Sequence, residues 1–193
     1  MNRNARLLKP NDMKAMPWKN GGGTTLQVAI SPSRAEVGLL DFDWRVSIAN
    51  VDADGPFSAF PGYDRQLVVW SGPGILINGS RHEALDPFEF SGDTPIEAKL
   101  LAEPIAESVK DFGVIYKRGK FTSEMTIHKL QAEKSALIDF KGGECFILCA
   151  RGELRIDGLY LNPGDVFHTS EAGSFQVKAL ERADCALIAL SNL

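Results

Sequence analysis

The stretch Pro17–Thr25 carries the residue types in this chain that are best suited to bind a small anion. It reads Pro-Trp-Lys-Asn-Gly-Gly-Gly-Thr-Thr, and its candidate ligand-binding side chains are Trp18, Lys19, Asn20 and Thr24. Because glycines let the backbone approach a ligand closely, amide, ammonium and hydroxyl donors can surround one anion here. A phosphate-binding P-loop is excluded, since no Gly-Lys-Ser/Thr ending is present and Leu26–Ile30 reads as a strand. A plain flexible hairpin connection is the open alternative.

A second set of donors lies in the strand-like segment Trp44–Ala49. Side chains alternate across a strand, so Arg45 and Ser47 share one face while the bulky apolar residues occupy the other. Burying an unpaired guanidinium costs roughly several kcal/mol of folding free energy. A buried Arg45 therefore requires a carboxylate from the protein or from a ligand. The alternative is a solvated Arg45 on an open face.

The segment Asp54–Arg65 adds an apolar wall and a second arginine. Its Phe residues flank prolines that fix the turns, and Arg65 begins the next strand. The alternative is a loop whose Phe rings plug the end of a barrel while Arg65 pairs with a neighbouring acid. Because arginine offers a bidentate fork, the donor set favours a small carboxylate as ligand. The predicted ligand-binding residues are Trp18, Lys19, Asn20, Thr24, Arg45, Ser47, Phe60 and Arg65.

Metal and nucleophilic chemistry find little support in the sequence. His82, His128 and His168 are far apart and unpaired, so they do not supply the three or four ligands that a divalent ion requires. No Gly-x-Ser-x-Gly nucleophile elbow is present, and the carboxylates form no recognisable acid/base pair. We therefore predict no metal, no cofactor and no catalytic residue.

The elements that position these residues are predicted to be almost entirely strands. Apolar and β-branched runs bounded by Gly, Pro, Asn or Asp recur at short intervals, which is typical of an all-β sandwich or barrel. Helix signals are confined to one turn over Asn11–Met16 and another over Glu103–Lys110. The clearest strands are Trp44–Val51, Gln66–Trp70, Gly74–Ile77, Thr122–Leu130, Ser135–Phe140, Cys145–Ala150, Glu153–Ile156, Ser174–Leu180 and Cys185–Leu190.

An internal repeat refines this prediction. Leu67–Gly79 leads to Phe90–Asp93 in the first half, and Phe146–Gly158 leads to Asn162–Asp165 in the second. Each repeat reads strand, Gly turn, short strand, Gly, then a Gly-Asp turn, and the second resembles a cupin motif. We therefore predict a bicupin-like fold of duplicated RmlC-like jelly-roll barrels, with residues 1–193 forming a single compact unit. Its approximate halves are 1–120 and 121–193.

Composition narrows the class of partner. A net charge of −4 argues against nucleic acid, because phosphate binding requires a basic face. No signal peptide and no run of about 20 apolar residues is evident, so we expect a cytoplasmic protein without a membrane partner. The odd number of cysteines, three, then predicts reduced, buried thiols. Oligomeric state stays open, with a homodimer as one candidate.

The motifs described above resemble those of the HutD/Ves family. The resemblance is ordered along the chain, spans roughly residues 6–120, and differs from the family pattern at Gly113, where Asn is expected. The matching segments are Pro17–Thr25, Trp44–Ala49, Asp54–Arg65, Phe90–Pro95 and Asp111–Arg118.

The resemblance implies a bacterial bicupin-like protein without a cupin metal site that modulates histidine utilisation rather than catalysing a step. It suggests urocanate or N-formylglutamate as ligand. Three alternatives stay open: a Ves-like protein of the stress response, an interaction module, and a metal-independent isomerase or lyase acting on a small acid. The last would need a pocket group with a shifted pKa, and its candidates are His168, Tyr63, Lys19 and Asp64.

Overall fold

A computed structural model of the chain describes residues 5–101 and 108–193, which form nineteen β-strands and two 3₁₀-helices. None of the described helices is long and apolar enough to cross a membrane. The helices are η1 (Pro10–Asp12) and η2 (Val37–Leu39). The strands are β1 (Arg6–Leu8), β2 (Lys14–Pro17), β3 (Gly23–Ser31), β4 (Trp44–Val51), β5 (Gly55–Pro56), β6 (Tyr63–Ser71), β7 (Ile75–Ile77), β8 (Ser80–His82), β9 (Phe88–Ser91), β10 (Glu97–Leu100), β11 (Val109–Lys117), β12 (Phe121–Leu130), β13 (Ser135–Phe140), β14 (Glu144–Arg151), β15 (Leu154–Ile156), β16 (Leu159–Leu161), β17 (Val166–Thr169), β18 (Gly173–Ala179) and β19 (Ala183–Asn192).

The contacts divide the chain into two compact units, of which the N-terminal unit is Lys14–Phe121. It contains a six-stranded antiparallel sheet in the order β2-β3-β4-β11-β6-β9 and a four-stranded sheet in the order β5-β10-β7-β8. A cluster of buried apolar side chains joins the two sheets, with Val51 and Val69 from the larger and Ile75 and Ala98 from the smaller. The N-terminal unit is therefore a two-sheet jelly roll.

The C-terminal unit is Thr122–Leu193 together with the segment that ends at Met13. Its sheets have the orders β1-β17-β14-β19-β12 and β13-β18-β15-β16. Fifteen buried apolar residues fill the space between them, including Leu154, Ile156 and Phe167. This unit is also a two-sheet jelly roll, so the fold is all-β and bicupin-like, as the sequence predicts.

The internal repeat corresponds to two equivalent runs of strands, β6–β9 and β14–β17. In each run a two-residue turn joins the second and third strands, Asn78-Gly79 in the first and Asp157-Gly158 in the second. All four turn residues have positive φ. Two successive positive φ values define the type I′ hairpin turn, which Asn-Gly and Asp-Gly favour. The turn chemistry therefore explains why the repeat is visible in the sequence.

The helix prediction over Asn11–Met16 is wrong in extent. The 3₁₀ turn η1 ends at Asp12, and β2 starts at Lys14 because its backbone pairs with β3. Most of the helix predicted over Glu103–Lys110 falls on residues outside the described ones. Its last two residues lie in β11, a nine-residue strand that pairs with both β4 and β6. Pairing on two sides thus overrides the local helix signal.

Candidate functional site

A cavity of about 500 Å³ lies within the N-terminal unit, on one face of the six-stranded sheet. Its volume is in the range of small-molecule sites, roughly 300–1,000 Å³. Seven of the eight residues predicted to bind a ligand line it. They are Trp18, Lys19, Asn20, Arg45, Ser47, Phe60 and Arg65.

Strand register brings the two arginines into one row. Ile115 on the central strand β11 pairs with Arg45 on one side and with Arg65 on the other. All three side chains line the cavity. Moving along β11 by two residues on the same face gives Gly113, and by four gives Asp111. The floor of the cavity therefore runs from an arginine row across a glycine to an aspartate.

Arg45 is buried, with 6% of its surface exposed. Its Nη2 lies 3.4 Å from the sulfur of Met16, a weak acceptor. Its Nε is buried and has no hydrogen-bond partner among the described residues. Burial lowers the pKa of Arg45. An anion or a water molecule beside this Nε would complete its hydrogen bonding.

Arg65 is half-buried and held by aromatic rings. The guanidinium carbon lies 4.8 Å from the ring centre of Phe90 and 5.4 Å from those of Phe57 and Phe60. Nη1 donates to the carbonyl oxygen of Ser58 at 3.3 Å. Burial lowers the pKa of Arg65 to about 10 and repulsion from the other arginine contributes, while Asp111 opposes the shift. Three aromatic rings and one carbonyl oxygen thus surround the guanidinium of Arg65.

Asp111 was not among the predicted site residues. It is buried, with 5% of its surface exposed, and it lines the cavity. Burial raises its pKa to about 7, against the opposing effects of Arg65 and a backbone hydrogen bond from Ala49. Two sequence signals point to it: an acid within the largely apolar strand Val109–Lys117, and its position at the start of the family-matching segment Asp111–Arg118.

The glycine-rich loop forms the connection between β2 and β3, and it also contributes to the cavity wall. Trp18 Nε1 donates to Thr25 Oγ1 at 2.8 Å, and the indole packs edge-on against Phe57. Asn20 Oδ1 accepts from the backbone N–H of Gly22 at 3.1 Å. The loop is thus a hairpin connection with an ordered internal structure.

Thr24 does not line the cavity, whereas Thr25 does. Thr25 pairs with Ala49 and Thr24 with Asn50, so the two hydroxyls emerge on opposite faces of the sheet. Ala49 lines the cavity and Asn50 does not, which places Thr25 on the cavity face. The loop sequence alone does not fix the phase of this alternation.

Three of the four candidates for acid/base chemistry form hydrogen bonds outside the cavity. Tyr63 Oη lies 2.7 Å from the carbonyl oxygen of Phe42, and Asp64 accepts from Arg118 at 2.7 Å. In the C-terminal unit His168 Nε2 is 2.7 Å from Glu144 Oε2. None of Tyr63, Asp64 and His168 lines the cavity, whereas Lys19 lies exposed at its edge.

The remaining histidines and the cysteines are packed within the protein. His82 stacks on Phe88 with ring centres 3.8 Å apart, and burial lowers the pKa of His128. All three cysteines are free and buried. Within the described ranges no group of three or more His, Cys, Asp or Glu side chains has the arrangement to hold a metal ion.

Comparison with known proteins identifies relatives by sequence. One is an uncharacterised 21.2 kDa protein in the hutC 3′ region of Pseudomonas putida, 36% identical over 125 residues. That match spans 62% of this chain and 62% of the relative. Another is Protein Ves of Citrobacter koseri, 26% identical over 169 residues and 81% of each chain.

Solved structures of other proteins share the fold of this chain. HutD from Pseudomonas fluorescens, determined in a formate condition, superposes with a TM-score of 0.76 at 26% identity, covering 98% of this chain and 99% of that one. The bacterial pirin YhhW of Escherichia coli in complex with nickel(II) superposes with a TM-score of 0.66 over 98% of each chain, and at 11% identity it shows the fold alone. A profile of the HutD family matches residues 10–187, nearly the whole chain. The chain therefore belongs to the HutD family.

Proposed function

We propose that the cavity binds a small carboxylate metabolite, of the urocanate or N-formylglutamate type, and that the protein modulates histidine utilisation without catalysing a step. The observation that carries the proposal is the pair Arg45 and Arg65, which flank Ile115 on the cavity face. Within the described part of the chain Arg45 donates to Met16 and Arg65 to Ser58, and the buried Nε of Arg45 has no partner there, which leaves it for a ligand.

A carboxylate ligand suits this pair in geometry and in charge. The planar guanidinium matches a carboxylate through two parallel N–H donors, and such charge-assisted bonds are about twice as strong as neutral ones. Because Arg45 is buried with an unpartnered Nε, an anion also offsets the cost of its desolvation. The same anionic ligand also offsets the repulsion between the two positive charges of the row.

The charge of the cavity differs in sign from that of the whole chain. Arg45, Arg65 and Lys19 line it against one acid, Asp111, whereas the chain carries a net charge of −4. A local positive potential on an acidic protein attracts small anions, and the negative remainder disfavours nucleic acid. A cytoplasmic location agrees with a metabolite ligand and stays a prediction.

The relatives support the pathway. One of them is described as lying in the hutC 3′ region, and another is a HutD protein whose structure was determined in a formate condition. Formate is the smallest carboxylate. A larger acid would use the remaining volume of the cavity, beyond the arginine row.

Titration calorimetry of urocanate, N-formylglutamate and formate against the full chain tests this proposal. A hydrogen bond to a charged group contributes about 1.5–3 kcal/mol, so Arg65→Met should weaken carboxylate binding roughly 10- to 100-fold. Arg65→Lys keeps the charge and loses the fork, and we expect an intermediate affinity. The matched control is Arg155→Ala, an exposed arginine on β15 in the C-terminal unit.

Two results would contradict the proposal. One is a wild-type chain that binds none of the three acids. The other is an Arg65→Met variant that binds them as tightly as the wild type while thermal unfolding shows it to be folded.

A second function, that of a metal-independent isomerase or lyase, is favoured by one observation. Asp111 lines the cavity with a pKa of about 7, which suits a general acid or base at neutral pH. Incubating the chain with each acid in D₂O and following proton exchange or product by NMR tests this function. Turnover that Asp111→Asn abolishes would establish catalysis, and the absence of any change would leave binding as the function.

A further inference from the structure

The backbone positions of Asp111 and of the arginine row lie four residues apart along β11, while the Arg65 guanidinium is close enough to Asp111 for the two charges to interact. Asp111 and Ile115 are four residues apart on β11 and share a face, which separates their Cα positions by roughly 13 Å at about 3.3 Å per residue. Gly113 lies midway and adds no side chain to the floor. A ligand held at the arginine row therefore lies beside Gly113, with Asp111 two residues further along the same face of β11.

Asp111 retains hydrogen-bond capacity that the protein does not use. A carboxylate accepts up to about four hydrogen bonds, and the backbone of Ala49 supplies one. Within the described residues, no salt bridge within 4 Å joins Asp111 to Arg45 or Arg65. An ionised carboxylate that is 5% exposed carries a desolvation cost, which a further hydrogen-bond donor offsets.

We propose that the ligand of this cavity carries an N–H donor as well as a carboxylate, and that Asp111 is the residue that selects it. This inference rests on the proposed function. The carboxylate lies at Arg45 and Arg65, and an imidazole, amide or amino N–H reaches Asp111 across Gly113. A diacid without an N–H donor is disfavoured, because it has only a second carboxylate to place against the charge of Asp111.

A matched pair of acids isolates the N–H group. Urocanate and cinnamate share a planar acrylate carboxylate, and only urocanate carries a ring N–H. At pH 8, where Asp111 is ionised, we expect the wild-type chain to bind urocanate at least tenfold more tightly than cinnamate. An analogue that lacks the donor leaves a buried acceptor unpaired, which is the basis of large discrimination ratios.

Asp111→Ala should bring the ratio of the two affinities close to one, by weakening the binding of urocanate and sparing that of cinnamate. The matched control Asp86→Ala, at an exposed aspartate, should leave the ratio unchanged.

The outcomes separate this inference from the proposed function. If the wild type binds both acids equally, or if Asp111→Ala keeps the preference, Asp111 does not select the ligand although a carboxylate site stands. If the wild type binds neither acid, nor N-formylglutamate, nor formate, both proposals are overturned. Thermal unfolding checks that each variant is folded. Should Asp111→Ala fail to fold, Asp111→Asn, which keeps the side-chain shape and loses the charge, replaces it, with a reduced ratio expected.

Discussion

Two guanidiniums placed on either side of one strand carry an unusually large desolvation cost for a protein interior. Arg45 and Arg65 both pair with Ile115, so their Cα positions are separated by two strand spacings, roughly 10 Å. Burial lowers the pKa of both arginines, and Arg45 contributes to the lowered pKa of Arg65. Asp111 compensates for this charge in part. Residues that are costly to the fold and converge on one cavity are typical of functional sites.

The buried carboxyl of Asp111 makes stability depend on pH. Its pKa is about 7 in the folded chain against an ordinary value of 3.8, so between these values the native state holds a proton that the unfolded chain has released. Stability therefore falls as pH rises through this window, while Arg45 and Arg65 stay charged. Asp111→Asn removes this dependence. Its gain in unfolding free energy should be near zero at pH 4 and reach roughly 4 kcal/mol by pH 8, from about three pK units.

Thermal unfolding of both proteins from pH 4 to pH 8 measures this effect. For a chain of this length each kcal/mol moves the midpoint by about 2–4 °C. Asp86→Asn, at an exposed aspartate, is the control and should track the wild type. A difference between Asp111→Asn and wild type that stays flat, or shrinks as pH rises, would show that Asp111 is not desolvated.

At the scale of elements, the hairpin between β2 and β3 depends on close backbone approach at Gly23. A Cβ there would lie 2.2 Å from the carbonyl oxygen of Asn50 and 3.1 Å from the Trp18 ring. The contact with Asn50 is a backbone contact of the adjacent strand β4, which a side-chain rotation cannot relieve. The absence of a side chain at Gly23 therefore lets the chain pass between β4 and the ring of Trp18.

Gly23→Ala should lower the unfolding free energy by roughly 1–3 kcal/mol or more, as overpacking does, and should weaken carboxylate binding by displacing the loop. Gly22→Ala is the matched control, because its nearest contact would be the Asn20 side chain at 3.4 Å. Chemical denaturation and titration calorimetry on the two variants provide the comparison. Equal stability and affinity for Gly22→Ala and Gly23→Ala would refute the assigned role of Gly23.

At the scale of the whole molecule, each unit has a core of its own. In the C-terminal unit the core includes the three cysteines, of which Cys149 and Cys185 face each other on neighbouring strands. Burial raises the pKa of each thiol to about 12. Reactive cysteines have lowered pKa values and partial exposure, so these thiols are expected to be inert in the folded chain.

A thiol reagent at pH 8 should therefore label none of the three cysteines in the native protein and all three after denaturation in guanidinium. The labelling rate at low denaturant reports opening of the C-terminal core. Cys149→Ala should reduce the denatured count to two and leave the native count at zero. Rapid labelling of the native wild type would contradict the burial described above.

The amino-acid sequence by itself determined the fold class, the duplication and seven of the residues that line the cavity. Those features depend on local chemistry: β-branched runs bounded by glycine, the Asn-Gly and Asp-Gly turns, and polar residues alternating within apolar strands. Tertiary structure decided what depends on strand pairing. It brought Arg45 and Arg65 to the two sides of Ile115, set the phase that selects Thr25 over Thr24, and buried Asp111 in the same cavity. Register between strands distant in sequence is fixed by packing and hydrogen bonds across the sheet, which no single segment encodes.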